Sequence, residues 1–197
     1  LENMAQDAFY GLAIANNWIF SCNGRSFAYR KKYFLDIDGY KGFNYIVGGD
    51  DDLLLHKIVY KKRCKVKYVI SENSFVLSNT PRTIEQFISQ RLRYAYKSSI
   101  FYKFSFSSIE VKLIMPLIFF VNCVVCFSII KFCQNPKFMH LIIIILKVIS
   151  DFILLSVFSS KVKFRFKYLN YILLSIFHPF YIILFSISAP FKKFIWK

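Results

Sequence analysis

The chain of 197 residues is long enough for one domain, or for a small domain followed by a membrane region. Its composition is too apolar for an ordinary soluble protein, because 56% of the residues are hydrophobic and 20% are aromatic. The formal net charge is +16, but much of the excess positive charge lies between apolar runs, so nucleic acid is not an expected partner.

The positive charge is distributed unevenly along the chain. Residues 1–110 contain 16 Lys/Arg and 10 Asp/Glu, which is a balance typical of a globular domain. Residues 111–197 contain 11 Lys/Arg and a single acid, Asp151. Long uncharged runs separated by basic residues are typical of membrane segments whose loops face anionic headgroups. We therefore expect an integral protein of the cell inner or plasma membrane, with the lipid bilayer as a partner.

The first half of the chain predicts helices alternating with short strands. Helices are expected over 1–12, 30–38, 53–61 and 83–97, the last with a capping box formed by Thr83 and Gln86. Strands are expected over 26–30, 64–70 and 75–77, because polar and apolar residues alternate there. This order predicts an α/β domain over residues 1–105.

The second half predicts about three transmembrane helices within residues 106–197. They are expected over 113–130, 138–158 and 168–191, and each is long enough to cross a hydrocarbon core of about 30 Å. The positive-inside rule places residues 1–110 and the loop 159–167 in the cytoplasm. The basic tail with Lys192, Lys193 and Lys197 would then lie outside, against the rule, unless one of the three segments is re-entrant or interfacial.

Three consecutive carboxylates, Asp50, Asp51 and Asp52, follow Gly48-Gly49 and precede an apolar run. Like charges side by side repel each other and raise each other's proton affinity. One interpretation is that they cap the helix that follows and interact with its dipole. Because one acid is enough for that task, the alternative is a functional cluster that faces a cation, a metal-bound phosphate or a proton to be abstracted.

A second feature is the run Gln90-Arg91-Leu92-Arg93-Tyr94, shortly before the first apolar segment. These residues are compatible with an ordinary solvated helix. They are equally compatible with ligand binding at the membrane surface, because guanidinium groups bind phosphate bidentately and aromatic faces stack on sugars.

Together these segments resemble the membrane-bound members of the family 2 glycosyltransferases. Gly49-Asp50-Asp51-Asp52-Leu53 is similar to the acidic E-D-x-D-L element of that family, and Gln90 to Tyr94 is similar to its Q-x-x-R-W motif, with Tyr in place of Trp. The segment from Cys22 to Arg30, with Asp38-Gly39-Tyr40, resembles the acceptor-side segment of the family. The motifs occur in the family's order and are followed by apolar helices.

The resemblance implies the C-terminal part of a GT-A-like α/β glycosyltransferase domain, followed by the membrane helices. It implies an inverting transfer of a sugar from a nucleotide-sugar donor to a glycan or lipid-linked acceptor. In this alignment Asp50 is the catalytic base, with Asp51 as the alternative one position away, and Asp52 is a supporting acid. The implied substrate-binding residues are Gln90, Arg91, Arg93, Tyr94, Cys22, Asn23 and Gly24.

The chain departs from the family pattern in its metal site. The family holds a divalent cation, Mg²⁺ or Mn²⁺, at an Asp-x-Asp on an upstream strand. Asp36-Ile37-Asp38 has that spacing but lies in the turn before Gly39, so we expect no metal ligands in this chain. The complete enzyme is expected to use the cation, and this chain alone is expected to be inactive.

The competing hypothesis is non-enzymatic. A small membrane protein whose basic domain binds anionic lipid or a partner protein has the same charge asymmetry. Only the glycosyltransferase hypothesis accounts for both the acidic triplet and the arginine-containing helix. The sequence identifies neither the sugar nor the oligomeric state.

Overall fold

The computed structural model of the protein describes residues 1–71, 74, 76, 79 and 81–191. Seven α-helices organise this part of the chain, and short 3₁₀ turns cover Gly24–Ser26, Phe101–Lys103 and Ala189–Phe191. The α-helices are α1 (Glu2–Ala15), α2 (Lys31–Asp36), α3 (Asp50–Lys62), α4 (Ile84–Ile100), α5 (Ile109–Gln134), α6 (Phe138–Lys161) and α7 (Tyr168–Ser188).

The predicted α/β fold is wrong, because the described residues form helices and no strand or sheet. Residues 64–70 have no regular secondary structure, and their side chains alternate between half-buried and exposed, as the pattern predicted. They lie on a helix instead of pairing with a strand, since Tyr68 packs against Gly11 of α1.

The other two predicted strands have different outcomes. Ser26 belongs to a 3₁₀ turn, and 27–30 has no regular secondary structure. The predicted strand 75–77 lies outside the described residues except for Val76, which is in no regular element.

The helix ends follow the capping chemistry of the sequence. The Thr83 hydroxyl accepts the N–H of Gln86 at 3.1 Å, so α4 begins where the capping box predicted. The Ser108 hydroxyl accepts the N–H of Val111 in the same way at the start of α5. Helix α3 begins three residues earlier than predicted, because the three carboxylates form its first turn.

The N-terminal part has an apolar core into which the first turn of α5 is inserted. Phe43, Leu53, Leu54, Phe101 and Val111 have at most 2% of their surface exposed and belong to one cluster. Buried side chains of this size are what stabilise a small domain. Since Val111 lies in α5, this core includes the start of the first long apolar helix.

A buried histidine fastens α5 to this core. The Nε2–H of His56 in α3 donates to the Phe20 carbonyl at 3.1 Å, and its Nδ1 accepts the N–H of Ser108 at 3.1 Å. The Ser108 hydroxyl also donates to the Ile19 carbonyl at 2.5 Å. The ring is therefore neutral, with its proton on Nε2.

Helices α5, α6 and the segment from α7 to Phe191 are long and apolar enough to cross a membrane, which confirms the expected membrane character of the chain. Helix α5 packs against both α6 and α7, α6 also contacts α1, and α7 also contacts α4. Lys147 and Asp151, four residues apart in α6, form an ion pair that reduces the cost of placing two charges in an apolar helix.

Candidate functional site

The acidic triplet forms the first turn of α3, directly after a sharp bend at two glycines. Gly48 and Gly49 have φ of +80° and +86°, in a region that other residues rarely adopt. The bend brings α4 close to the backbone, since a Cβ on Gly49 would lie 2.9 Å from Cγ of Lys97. The carboxylates are favourably placed at the positive end of the helix dipole.

Asp52 is fully buried and fully bonded. Its Oδ1 accepts hydrogen bonds from the Ser21 hydroxyl at 2.7 Å and from the Cys22 N–H at 2.8 Å. Its Oδ2 contacts the ammonium group of Lys97 in an ion pair. Asp52 therefore has a structural role at the centre of the site, and its part as a supporting acid stays a prediction.

Lys97 is the counter-ion of the triplet. Its Nζ contacts Asp52 and lies 3.7 Å from Oδ1 of Asp51. Burial of the ammonium group acts to lower the pKa of Lys97, but the attraction of Asp52 and Asp51 outweighs it, so the pKa is raised and the side chain stays charged. Lys97 lies outside the motifs that the resemblance covers.

Tyr10 extends the buried polar network. Burial raises the pKa of its hydroxyl to about 12, with smaller opposing effects of Lys97 and Asp52. The hydroxyl is hydrogen-bonded to the Ser21 side chain, which itself donates to Asp52. The inner wall of the site is therefore a fixed set of hydrogen bonds.

Asp51 lies at the mouth of the site and is half-buried. Its Oδ1 accepts the N–H of Asp52 at 3.0 Å. Burial raises the pKa of Asp51, and the neighbouring Asp52 carboxylate raises it further, against the effect of Lys97. Asp50, one position earlier, is also half-buried.

The loop from Cys22 to Gly24 covers Asp51. A Cβ on Gly24 would lie only 2.6 Å from Oδ2 of Asp51, so the absence of a side chain at this position admits the carboxylate. The Asn23 side chain accepts the N–H of Arg25 at 3.3 Å and shapes the turn. Two of the predicted site segments, 22–24 and 50–52, are thus in contact.

These groups do not fit a divalent cation. Cys22 Sγ and carboxylate oxygens of Asp51 and Asp52 lie within 4.8 Å of one another. Burial and the two carboxylates raise the pKa of the Cys22 thiol, and sulfur is a poor ligand for Mg²⁺ or Mn²⁺, which prefer oxygen. The ammonium group of Lys97 already balances the carboxylate charge.

Helix α4 presents two different faces. Gln90, Arg93 and Lys97 are spaced i, i+3 and i+7 and so share one face. A Cβ on Gly48 would lie 3.2 Å from Cγ of Arg93, which places this face over the bend before α3. Arg93 is exposed and Gln90 is half-buried.

Arg91 lies on the other face of α4. Its guanidinium group is buried and forms an ion pair with Glu2 of α1 at 3.0 Å. The carbon at its centre lies 5.5 Å from the centroid of the Tyr94 ring, and that of Arg93 lies 6.0 Å from the same centroid. The substrate-binding role of Arg91 stays a prediction. Its ion pair with Glu2 favours a structural role for this side chain.

The position of Lys97 in the sequence of α4 indicated that it belongs to the site. A cation seven residues after Gln90 falls on the face that the resemblance assigns to ligand binding. Comparison of the chain with protein-family models, curated proteins and solved structures returns no match. The candidate site therefore depends on its own geometry and on the motif resemblance.

Proposed function

We propose that this chain is the acceptor-side and membrane part of an inverting glycosyltransferase. The observation that carries the proposal is convergence: the loop 22–24, the acidic turn 50–52 and the face of α4 that bears Arg93 meet around one bend of the backbone. These segments are separated by about thirty to forty residues in sequence, and each belongs to a motif that the resemblance links to sugar transfer.

The base in this proposal is a carboxylate of the pair Asp50 and Asp51. Asp52 is excluded as the base, because its Oδ1 accepts the Ser21 hydroxyl and its Oδ2 is paired with the ammonium group of Lys97. Burial raises the pKa of Asp51, which suits this carboxylate to accept the proton of an acceptor hydroxyl, and Asp51 lies against the loop at Gly24. As the base takes its proton, the oxygen of the acceptor hydroxyl attacks the anomeric carbon of the donor sugar. The configuration at that carbon inverts, and the nucleoside diphosphate leaves with the bonding electrons.

The exposed face of α4 supplies binding groups. Arg93 offers a guanidinium group to a phosphate or a sugar hydroxyl, and Gln90 offers an amide one turn earlier. Tyr94 offers an aromatic face for an acceptor sugar. The metal-bound diphosphate of the donor and its ligands are assigned to sequence outside this chain, so no step here uses a metal.

The proposal is tested with membranes that contain the chain completed upstream by a nucleotide-binding half of a family 2 glycosyltransferase. Radiolabelled UDP-sugars and GDP-mannose are supplied, and transfer to a glycan or lipid fraction is measured. Asp51→Asn is expected to reduce transfer by about 100-fold or more, because a positioned base contributes that much. Asp36→Asn is the matched control, since Asp36 forms an ion pair with Lys62 at the surface, and it is expected to leave transfer unchanged.

The result with Asp50→Asn identifies the base. If it abolishes transfer while Asp51→Asn retains it, the base is Asp50. If both variants retain full transfer, the proposed mechanism is wrong. Absence of transfer by the unmodified membranes with every donor favours the non-enzymatic alternative, in which the basic N-terminal part binds anionic lipid or a partner protein.

The site is proposed to face the cytoplasm, where nucleotide sugars are made. The loop 159–167 carries Lys161, Lys163, Arg165 and Lys167, and the loop 131–137 carries only Lys131 and Lys137. This difference supports a cytoplasmic N-terminal part by the positive-inside rule.

A further inference from the structure

A cavity of about 380 Å³ lies between α1, the segment 64–70 and the end of α6. The residues of α6 that line it are spaced i, i+3, i+4 and i+7 and therefore share one side of the helix. They are Leu154, Val157, Phe158 and Lys161. Gly11 and Ala15 of α1 also line the cavity, one turn apart. Because both residues are small, α1 and α6 leave room between them although the two helices are in contact.

The charged residues that the structure describes in this lining are both basic. They are Lys67 and Lys161, and the other lining residues are apolar apart from Tyr68. Both lysines are exposed, and within the described part of the chain neither forms an ion pair. The Tyr68 hydroxyl is hydrogen-bonded to the Asp7 carboxylate. The cavity therefore complements a ligand that has an apolar tail and a negative charge.

The two lysines lie at the end of a helix of membrane-spanning length. Helix α6 has 24 residues and is apolar enough to cross a bilayer. At 1.5 Å per residue it is about 36 Å long, which exceeds a hydrocarbon core of about 30 Å. Its last residue is Lys161, and Lys163, Arg165 and Lys167 follow. This charged end extends into the headgroup region, so an anion bound by Lys161 lies at the depth of lipid headgroups.

The apolar lining of the cavity continues onto the outer surface of α6. Val157 lines the cavity and is 52% exposed, and Ile153, one turn earlier, is 56% exposed. Such side chains on a membrane helix face hydrocarbon, so an acyl chain is able to enter from the bilayer without passing through water. A small soluble anion would gain nothing from these apolar walls. The lining favours a lipid over a soluble ligand.

We propose that this cavity binds one anionic phospholipid. An acyl chain lies between α1 and α6, and the phosphate group pairs with Lys67 and Lys161. The lipid connects the N-terminal part to a membrane helix, and it does so through α1, which also carries Tyr10 of the candidate site. The proposal concerns a single built site and does not depend on sugar transfer.

The first test is native mass spectrometry of the full chain in detergent, titrated with phosphatidylglycerol or with phosphatidylcholine of the same acyl chains. The unmodified chain is expected to bind one phosphatidylglycerol in preference to phosphatidylcholine. The double variant Lys67→Gln with Lys161→Gln is expected to bind phosphatidylglycerol about 30-fold more weakly, because it lacks two cations beside the headgroup. Equal binding of the two lipids by the unmodified chain would overturn the proposal.

The matched control is Lys65→Gln with Lys137→Gln. It removes the same charge from two exposed lysines, one on the segment 64–70 and one at the other end of α6. Neither residue lines the cavity. This variant is expected to retain the affinity for phosphatidylglycerol. An equal loss in both double variants would assign binding to net charge alone and would contradict a site at Lys67 and Lys161.

The second test fills the cavity and leaves the lysines in place. Ala15→Phe and Val157→Phe put a ring into it from two different helices, and each is expected to weaken phosphatidylglycerol binding. Leu146→Phe, on the same side of α6 but three turns away, is the control. Thermal unfolding in detergent shows which variants are folded, and one folded variant is enough. Unchanged binding in a folded variant would mean that no acyl chain enters the cavity.

A competition experiment separates the lipid from a soluble anion of the same chemistry. Glycerol phosphate carries the headgroup charge without acyl chains, and it is expected not to displace bound phosphatidylglycerol at millimolar concentration. Displacement would show a site for soluble phosphate and would overturn the assignment to a lipid.

Discussion

At the residue scale, the pair of Asp52 and Lys97 determines how the site is held. The side chain of Asp52 is completely buried, and that of Lys97 is 19% exposed. Taking two charges out of water is costly, and the cost is recovered only when each finds its partner. A variant that removes one member leaves the other charge buried and uncompensated.

We therefore expect Lys97→Met to destabilise the protein by about 3–5 kcal/mol, the usual cost of breaking a buried ion pair. The midpoint of thermal unfolding in detergent measures the effect. Lys103→Met is the matched control, because Lys103 is exposed, and it should change the midpoint little.

The double variant Asp52→Asn with Lys97→Met separates charge from packing. Asn keeps an acceptor for Ser21 and Cys22 but needs no counter-ion. The double variant is expected to recover a large part of the lost stability. If it is less stable than Lys97→Met alone, the ion pair is not what Lys97 contributes.

At the scale of elements, His56 connects α3 to the start of α5. Burial lowers the pKa of His56 below 6.5, against smaller opposing effects of the Phe20 carbonyl and Asp52. The neutral ring uses Nδ1 as an acceptor for the Ser108 N–H, and protonation of that nitrogen would break the bond.

The pH dependence of stability follows from the sign of this shift. Below pH 6.5 the unfolded chain takes up a proton that the folded protein binds only at lower pH, so the unfolded state is favoured. The contribution of His56 is complete above pH 6.5 and is lost as the pH falls towards the folded pKa, by at most about 1.4 kcal/mol per pH unit. Unfolding midpoints at pH 7.5 and 5.5, compared with those of His56→Gln, measure it. The same pH dependence in both proteins would assign the effect to other groups.

The elements differ in how far the sequence predicts them. Helices α3 to α7 were predicted to within a few residues, because capping, apolar period and uncharged length are local properties. The strand at 64–70 was wrong for a physical reason: alternation reports which side chains are buried, and it does not report whether a second strand provides hydrogen bonds. Val66 and Tyr68 are half-buried, but their neighbours are helices.

In the candidate site, too, the features that are local in sequence could be predicted, and the contacts between distant segments could not. The triplet 50–52 and the run 90–94 are recognisable because each is contiguous in sequence. The pairing of Lys97 with Asp52 spans 45 residues and depends on the angle at which α4 approaches the Gly48-Gly49 bend. Only the register of Lys97 with Gln90 and Arg93 pointed to it.

At the scale of the whole molecule, one half-buried carboxylate, that of Glu2, links α1, α4 and α7. Glu2 binds the Arg91 guanidinium group with one oxygen and accepts the Tyr181 hydroxyl with the other. Asn3 adds a weak acceptor for Arg91, at 3.4 Å. This link joins segments that are far apart in the chain.

Glu2→Gln is expected to reduce stability by about 3–5 kcal/mol, because Arg91 then lacks a buried counter-charge. Tyr181→Phe removes a single hydrogen bond and should cost less, about 1–3 kcal/mol. Both are measured by thermal unfolding in detergent, with Glu85→Gln, at an exposed acid of α4, as the control. Equal stability of Glu2→Gln and Glu85→Gln would contradict the role of the link.

The attachment of α5 through Ser108 fixes the position of the candidate site relative to the first long apolar helix. Ser108 begins the first membrane helix and is bonded to His56 and to the Ile19 carbonyl, so the N-terminal part has no free hinge on which to swing. If the acceptor is carried by a lipid, the proposed base meets a hydroxyl only at one distance from the headgroups. Under the proposed function, the chain would then prefer acceptors whose spacer between lipid and terminal sugar matches that distance.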